Sequence, residues 1–327
     1  MCYWTKTAPT RDAGTRLRMT QGRRSGMPAK TFSIMGDSIS TFEGCVPDGY
    51  TLFYNDKRLE RSGVLRPEDT WWSHAVRALG GTVLADSAWS GSMVEGAGFP
   101  AASSPERAAA LLGPDGQAPD AVLVFIGIND YGWGSAYAQI CGGSPNAPAE
   151  LVASCPDKGN VAGLAPDGAV EKFASSYRSM LRTMHEKWPN AHIWAATLLP
   201  GRVKGAEKST SPRWFRGICV DEYNKAILDA AADEPNCTPV DAAALGFDYE
   251  AIDGTHPTNR GMKQLAAMYI RGMEAADEAL PCTPYEGSKL LTDDMRTVEF
   301  CTKPCVGCEY AKGTGNNWWH VCEKQLR

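Results

Sequence analysis

Residues 121–126, Ala-Val-Leu-Val-Phe-Ile, are apolar throughout and rich in β-forming side chains. A strand of this kind offers no face to water. It belongs inside a parallel sheet that is covered by helices on both sides. The chain repeats the theme from residue 31 onward. Further strands are expected at 31–35, 82–85, 192–198 and 238–241. Helices are expected at 71–79, ending at Gly80-Gly81; at 169–188, stopped by Pro189; at 220–232; and at 259–276, with Pro257 near its start. Such alternation predicts a three-layer α/β/α domain with a flavodoxin-like strand order. Ligands then bind beyond the carboxyl ends of the strands.

Three connections, 41–69, 131–168 and 200–217, exceed the roughly 2–6 residues usual between strand and helix. On the ligand side they are expected to form binding walls or a lid.

Four short pieces fall at those strand ends. Gly36-Asp37-Ser38-Ile39-Ser40 follows the first strand, Ser90-Gly91 the second, and Gly127-Ile128-Asn129-Asp130 the third. Asp253-Gly254-Thr255-His256-Pro257 precedes the last helix. A serine hydroxyl needs a base beside it to act as a nucleophile. His256 supplies one, and Asp253, three residues earlier, can hold the imidazole tautomer. The tetrahedral intermediate of acyl transfer needs donors for its oxyanion. Ser38 and Gly91 offer backbone amides, Gly91 without a Cβ to obstruct close approach. Asn129 offers a side-chain amide. Each alone has a plainer reading: a helix cap for Ser38, and turns for Gly91 and Asn129. Asp37 is expected to brace its turn rather than react. His74, His185 and His192 fall within predicted helices or a strand and are expected to be structural.

With these residues in this order, the chain resembles the SGNH/GDSL hydrolases. The family's four letters fall on Ser38, Gly91, Asn129 and His256. Ile39 stands where the family's name has leucine. The resemblance covers about residues 29–280 and implies serine esterase chemistry on carboxylic esters, commonly O-acetyl groups on carbohydrates, with no catalytic cofactor. Other catalytic signatures are missing from the sequence. It contains no Gly-x-Ser-x-Gly elbow, Gly-x-Gly-x-x-Gly, P-loop or His-Glu-x-x-His.

Net charge is −5, so the chain has no global basic footprint for nucleic acid. No run approaches 18 apolar residues, so no membrane insertion is expected. Arg11, Arg16, Arg18, Arg23 and Arg24 make a basic start, but no apolar segment follows as in a signal peptide. Residues 1–28 are therefore expected to be a disordered lead and the protein cytoplasmic, with Met27 a natural start for the domain. Oligomeric state is not legible.

Five of the 11 cysteines lie in the last 46 residues. Their odd total, without an export signal, argues against a disulfide framework. Cys301, Cys305, Cys308 and Cys322 are expected to hold one structural zinc in a tail over 281–327, with Cys282 or His320 as substitutes. A segment that short builds little core, and a metal would offset that.

Tyr50, Phe53, Tyr54, Trp89, Tyr131 and Trp133 lie near the site and could stack on a sugar ring or line an acyl pocket, with ordinary loop packing the plainer reading of any one; Trp89, Tyr131 and Trp133 are the candidate substrate-binding set. Residues 200–217 carry Arg202, Lys204, Lys208, Arg213 and Arg216 against Glu207, either a solvated face or an attraction for anions. Polar, glycine-rich loops without a long apolar lid favour deacetylation of a sugar or small polar ester. Lipase or thioesterase action fits the same parts. The rival class is a non-catalytic carbohydrate-binding or interaction module on the same scaffold, against which the intact residue set argues.

Overall fold

The computed structural model describes residues 30–96, 98–133, 165, 167–204, 206, 214–215 and 218–278, and the backbone of four short strands within 289–322. Its centre is a parallel sheet of β1 (Thr31–Gly36), β2 (Thr82–Asp86), β3 (Ala121–Phe125), β4 (His192–Ala196) and β5 (Cys237–Val240). The spatial order is β2-β1-β3-β4-β5, as expected for a flavodoxin-like sheet.

The apolar run in β3 has its explanation in the two cores. Ala121, Leu123 and Phe125 pack on one face, and Val122, Val124 and Ile126 on the other. β4 splits the same way, with Ala196 on the first face and Ile193 and Ala195 on the second. Burying one such Leu, Ile or Phe stabilises the fold by about 1.5–3 kcal/mol.

Helices α2 (Trp71–Ala78) and α7 (Asn259–Glu278) cover the first face. α5 (Ala169–Lys187) and α6 (Val220–Asp233) cover the second. Thr70 caps α2 by accepting from the Ser73 amide, and the Thr258 hydroxyl does the same for Gly261 at the start of α7.

Several short elements escaped the sequence reading. α3 (Pro105–Ala109) lies in a stretch left without an element, and α4 (Ile128–Trp133) replaces an expected loop after β3. α1 (Lys57–Ser62) falls within the first long connection. The strand Gly201–Val203 pairs in parallel with Tyr249–Ala251 inside the third. Elements of three to six residues are too short to show a period, and partners distant in sequence hold them. In the second long connection, residues 134–164 lie outside the described residues, as do residues 1–29. Of the tail, two antiparallel strand pairs are described: Lys289–Leu291 with Thr297–Glu299, and Ala311–Gly313 with His320–Cys322.

Among the described residues no helix is long and apolar enough to cross a membrane.

α7 is fastened to the sheet by one hydroxyl. Tyr269 is fully buried, donates to the Trp194 carbonyl at 2.6 Å and accepts from the Val124 amide at 3.1 Å. Tyr269→Phe should therefore cost about 1–3 kcal/mol, the desolvation penalty of orphaned backbone groups. Urea unfolding measures it, and a variant as stable as the parent would contradict the assignment.

Candidate active site

β1 ends at Gly36, where a Cβ would collide with the Ser40 side chain. The next residues turn sharply: the Ser40 amide reaches the Asp37 carbonyl at 3.0 Å, and the Ile39 amide reaches Asp37 Oδ1 at 3.0 Å. Asp37 thus braces the turn, as expected. Burial pushes its carboxyl up to about 7, against the pull of the Ile39 amide and Arg107. Trp71 and Trp72 on α2 donate to the Ser40 hydroxyl and carbonyl at 3.0 and 2.8 Å.

The turn presents Ser38 Oγ to His256 Nε2 at 2.9 Å, across 218 positions of sequence. On the far side of the ring, His256 Nδ1 lies 2.7 Å from Asp253 Oδ2. A carboxylate only accepts, so Nδ1 carries the proton and Nε2 is left to accept from Ser38. Asp253 Oδ1 also accepts from the amides of His256 and Thr255 at 2.8 and 3.0 Å. Burial alone would raise the Asp253 carboxyl. The hydrogen bonds and charge of His256, with the Thr255 amide, outweigh it and bring the group down to about 2.

Tyrosines carry the loop that holds this pair. Tyr54 OH donates to the Pro257 carbonyl at 2.8 Å, and Tyr249 OH to that of Thr255 at 2.6 Å. The Ile252 amide closes the loop on the His256 carbonyl at 2.9 Å. Gly254 (φ 92°) turns it, and Gly201 packs so closely on the Gly254 carbonyl that no Cβ fits there.

Gly91 sits after β2 with φ 83°. The expected reason for glycine was room for a close approach. The structure adds another: the positive φ there is strained for other residues. Among the described residues the amides of Ser38 and Gly91 have no protein acceptor, so both are available to an oxyanion.

Asn129 stands in the first turn of α4, and its amide is half used. Nδ2 donates to the Ser92 carbonyl at 2.9 Å, which leaves its second N–H. The next residue finishes the clamp. Asp130 is fully buried and accepts from the amides of Val94 and Glu95 at 2.9 Å each. Burial pushes its carboxyl up to about 8 in spite of these donors.

Arg107 on α3 lies behind the first two loops, with no exposed surface. Its guanidinium donates to the carbonyls of Gly36 at 2.8 Å and Pro100 at 2.7 Å, and its Nε to that of Ser87 at 2.9 Å. Burial lowers it to about 10, opposed by Tyr50, Asp86 and Asp37, so it keeps its charge at neutral pH. The sequence reading missed Arg107 and Asp130 as supports. Asp130 at least adjoined a named motif, whereas Arg107 carries no local signal.

The expected substrate aromatics fall differently. Trp89 is 2% exposed, enclosed by Tyr50 at 4.7 Å and Phe99 at 5.0 Å between ring centroids. Tyr131 is also buried and packs edge-on to Tyr223 at 5.5 Å. The Tyr131 ring packs in the second core, and the Trp89 ring is closed in by its aromatic neighbours. Phe99, 41% exposed, is the ring left facing solvent. The Trp133 side chain lies outside the described residues, as do Cys301, Cys305 and Cys308; Cys322 is described only as backbone. Among the described residues no group of three or more His, Cys, Asp or Glu is placed to hold a metal ion, and Cys45, Cys219 and Cys237 are free thiols. In the basic stretch, Arg202 is paired with Asp248 at 2.6 Å.

Residues 30–142 match the family model of GDSL-like Lipase/Acylhydrolase. The chain carries a GDSL-like lipase/acylhydrolase domain. The matched segment takes in Ser38, Gly91 and Asn129. Asp253 and His256 lie beyond it, and the fold brings them to the same site. No curated protein matches the sequence. Similar solved structures include a protein described as a GDSL-like lipase from Bacteroides ovatus, with 18% identity over 76% of this chain and 99% of that one, TM-score 0.46. Phospholipase A1 from Streptomyces albidoflavus NA297 has 18% identity over 76% and 99%, TM-score 0.43. A carbohydrate esterase family 2 enzyme plus carbohydrate binding domain from Corynascus thermopiles (Myceliophthora fergusii) has 21% identity over 76% and 67%, TM-score 0.45. Likeness at that level says nothing of substrate.

The Asp253 geometry has a pH signature. A carboxyl held below its unfolded value contributes stability above that value, and loses it as pH falls through the folded one. Here the window runs from 3.8 down to about 2. The stability difference between the parent and Asp253→Asn should be constant at higher pH and shrink across that window. Urea titrations at stepped pH test this, and a difference that never changes would dissociate the carboxylate's charge from the loop.

Proposed function

We propose that this GDSL-like domain hydrolyses short-chain esters of a sugar or other small polar alcohol through an acyl-enzyme on Ser38. The observation that carries the reading is the Asp253–His256–Ser38 relay; among the described residues the amides of Ser38 and Gly91 have no protein acceptor, which supports it.

In the first step Ser38 Oγ attacks the ester carbonyl carbon while its proton passes to His256 Nε2. Asp253 stabilises the imidazolium that forms. Negative charge on the former carbonyl oxygen faces the amides of Ser38 and Gly91 and the second N–H of Asn129. Collapse of this intermediate expels the alcohol, which takes its proton from His256. Water then repeats the cycle on the acyl group, giving its proton to His256 and releasing the acid and free Ser38. No metal or organic cofactor has a part in these steps. The structural zinc expected at Cys301, Cys305, Cys308 and Cys322 rests on residue spacing alone.

Support for a short acyl group and a polar alcohol comes from the site's surroundings. α1, beside the site, is polar in sequence (Lys-Arg-Leu-Glu-Arg-Ser) and too short to serve as an apolar lid. The exposed Phe99 ring suits the face of a sugar better than a long hydrocarbon chain.

Ser38→Ala should abolish ester hydrolysis and covalent labelling by a fluorophosphonate while leaving the unfolding midpoint near that of the parent. Asn129→Ala should lose roughly 10²–10³ in kcat. Wild-type turnover in purified Ser38→Ala would end the mechanism, and absence of both labelling and hydrolysis in the parent would favour the non-catalytic binding module.

Rates on p-nitrophenyl esters should fall from acetyl to decanoyl, and acetylated sugars should be turned over. A steady rise with chain length would instead assign a lipase.

A further inference from the structure

The segment from Tyr50 to Arg58 touches the loops that carry Ser38, Gly91 and His256. The Thr51 carbonyl accepts from the Ser90 amide at 2.8 Å, next to Gly91. The Phe53 amide donates to Thr41 Oγ1 at 2.9 Å, and that hydroxyl donates to the Ser38 carbonyl at 3.1 Å. Tyr54 holds the Pro257 carbonyl. Between these anchors the Phe53 ring lies flat on the His256 imidazole, with centroids 3.4 Å apart and planes 4° from parallel. The Arg58 guanidinium covers Phe53 at 4.8 Å from its centroid.

We infer that Phe53 is a positioning residue that sets the plane of the His256 imidazole for proton transfer. The inference rests on the reading of His256 as the base.

The need for such a residue follows from geometry. The two hydrogen bonds of the imidazole, at Nδ1 to Asp253 and at Nε2 to Ser38, lie near opposite ends of the ring. With the Cβ–Cγ bond they define the ring plane, but both act at the ring's edge, and rotation about Cβ–Cγ is resisted by these two contacts alone unless a face is also packed. A tilted ring points its Nε2 lone pair away from the serine proton, and small misplacements of a catalytic group cost rate steeply. A flat aromatic face at van der Waals distance removes that freedom. It also keeps water off one side of the base. When His256 takes the Ser38 proton, the developing imidazolium meets the negative face of the phenyl ring, a contact stronger in the transition state than in the ground state. Arg58 is held over the same ring, and its guanidinium reaches the Phe53 carbonyl at 3.5 Å. Its stacking keeps Phe53 from swinging outward. Phe53, one of the aromatics considered for sugar stacking, is thereby already occupied by the histidine.

The test compares the full chain with its Phe53→Leu and Phe53→Tyr variants on p-nitrophenyl acetate. Leucine keeps apolar bulk and loses the flat face; tyrosine restores the face. Phe53→Leu should lower kcat by roughly tenfold or more, with KM nearly unchanged. Phe53→Tyr should recover most of that loss. A merely structural role would lower the unfolding midpoint without separating kcat from KM. Parental kcat in Phe53→Leu overturns the inference, as does a rise in KM alone, which would assign the ring to the substrate. A tyrosine variant no better than leucine also overturns it. If the parent itself neither hydrolyses the ester nor labels with a fluorophosphonate, the base assignment fails, and that result is separate from any behaviour of Phe53.

Discussion

A buried guanidinium holds the mouth of this site together. The carbonyls of Gly36, Ser87 and Pro100 all point at Arg107, and no water reaches it. Carbonyls at the ends of parallel strands lose their ladder partners, and a buried one without a donor is costly. One planar fork with five N–H groups satisfies two of them, at Gly36 and Ser87, together with the loop carbonyl of Pro100, and spans the ends of β1 and β2. Asp37 and Asp86 lie close enough to interact with its charge. Removing one partner from a buried charged cluster typically costs about 3–5 kcal/mol. The relative placement of the Ser38 and Gly91 loops therefore depends on a residue that touches neither reacting atom.

The other side of the mouth is fixed by carboxylate and amide side chains. Asn129 and Asp130, adjacent on α4, bind the loop from Ser92 to Glu95, one by donating and the other by accepting. The motif after β3 is thus a clamp as well as the carrier of the proposed oxyanion donor. Half of the Asn129 amide holds its neighbouring loop, and the remaining N–H is aimed by that attachment. The histidine loop is held in a comparable way by Tyr54 and Tyr249. The turns that carry Ser38 and His256 are each held in place by buried polar side chains from other elements.

Much of this was legible in the sequence, for reasons that differ by residue. The strands at β3 and β4 announce themselves because both faces are buried and the apolar run is unbroken. Ser38, Gly91, Asn129, Asp253 and His256 stand at strand ends or turns, with backbone amides or side chains suited to acyl transfer. The supports were not legible. Arg107 is a lone arginine in a five-residue helix, and nothing local separates it from a solvated one. For Trp89 and Tyr131 the sequence left substrate stacking and loop packing both open, and only side-chain direction shows that both are buried.

What the amino-acid order determined by itself is periodicity, turn chemistry and the inventory of reactive groups, because each arises from neighbours within a few residues. It therefore settled the layered parallel sheet and the parts for ester chemistry. Only the tertiary structure decided that Ser38 Oγ and His256 Nε2 stand 2.9 Å apart, that Asn129 spends one N–H on Ser92, and that the Phe53 ring lies on the histidine. Those contacts join residues between 37 and 218 positions apart. They depend on strand order and on how side chains pack between layers, and no local pattern encodes either.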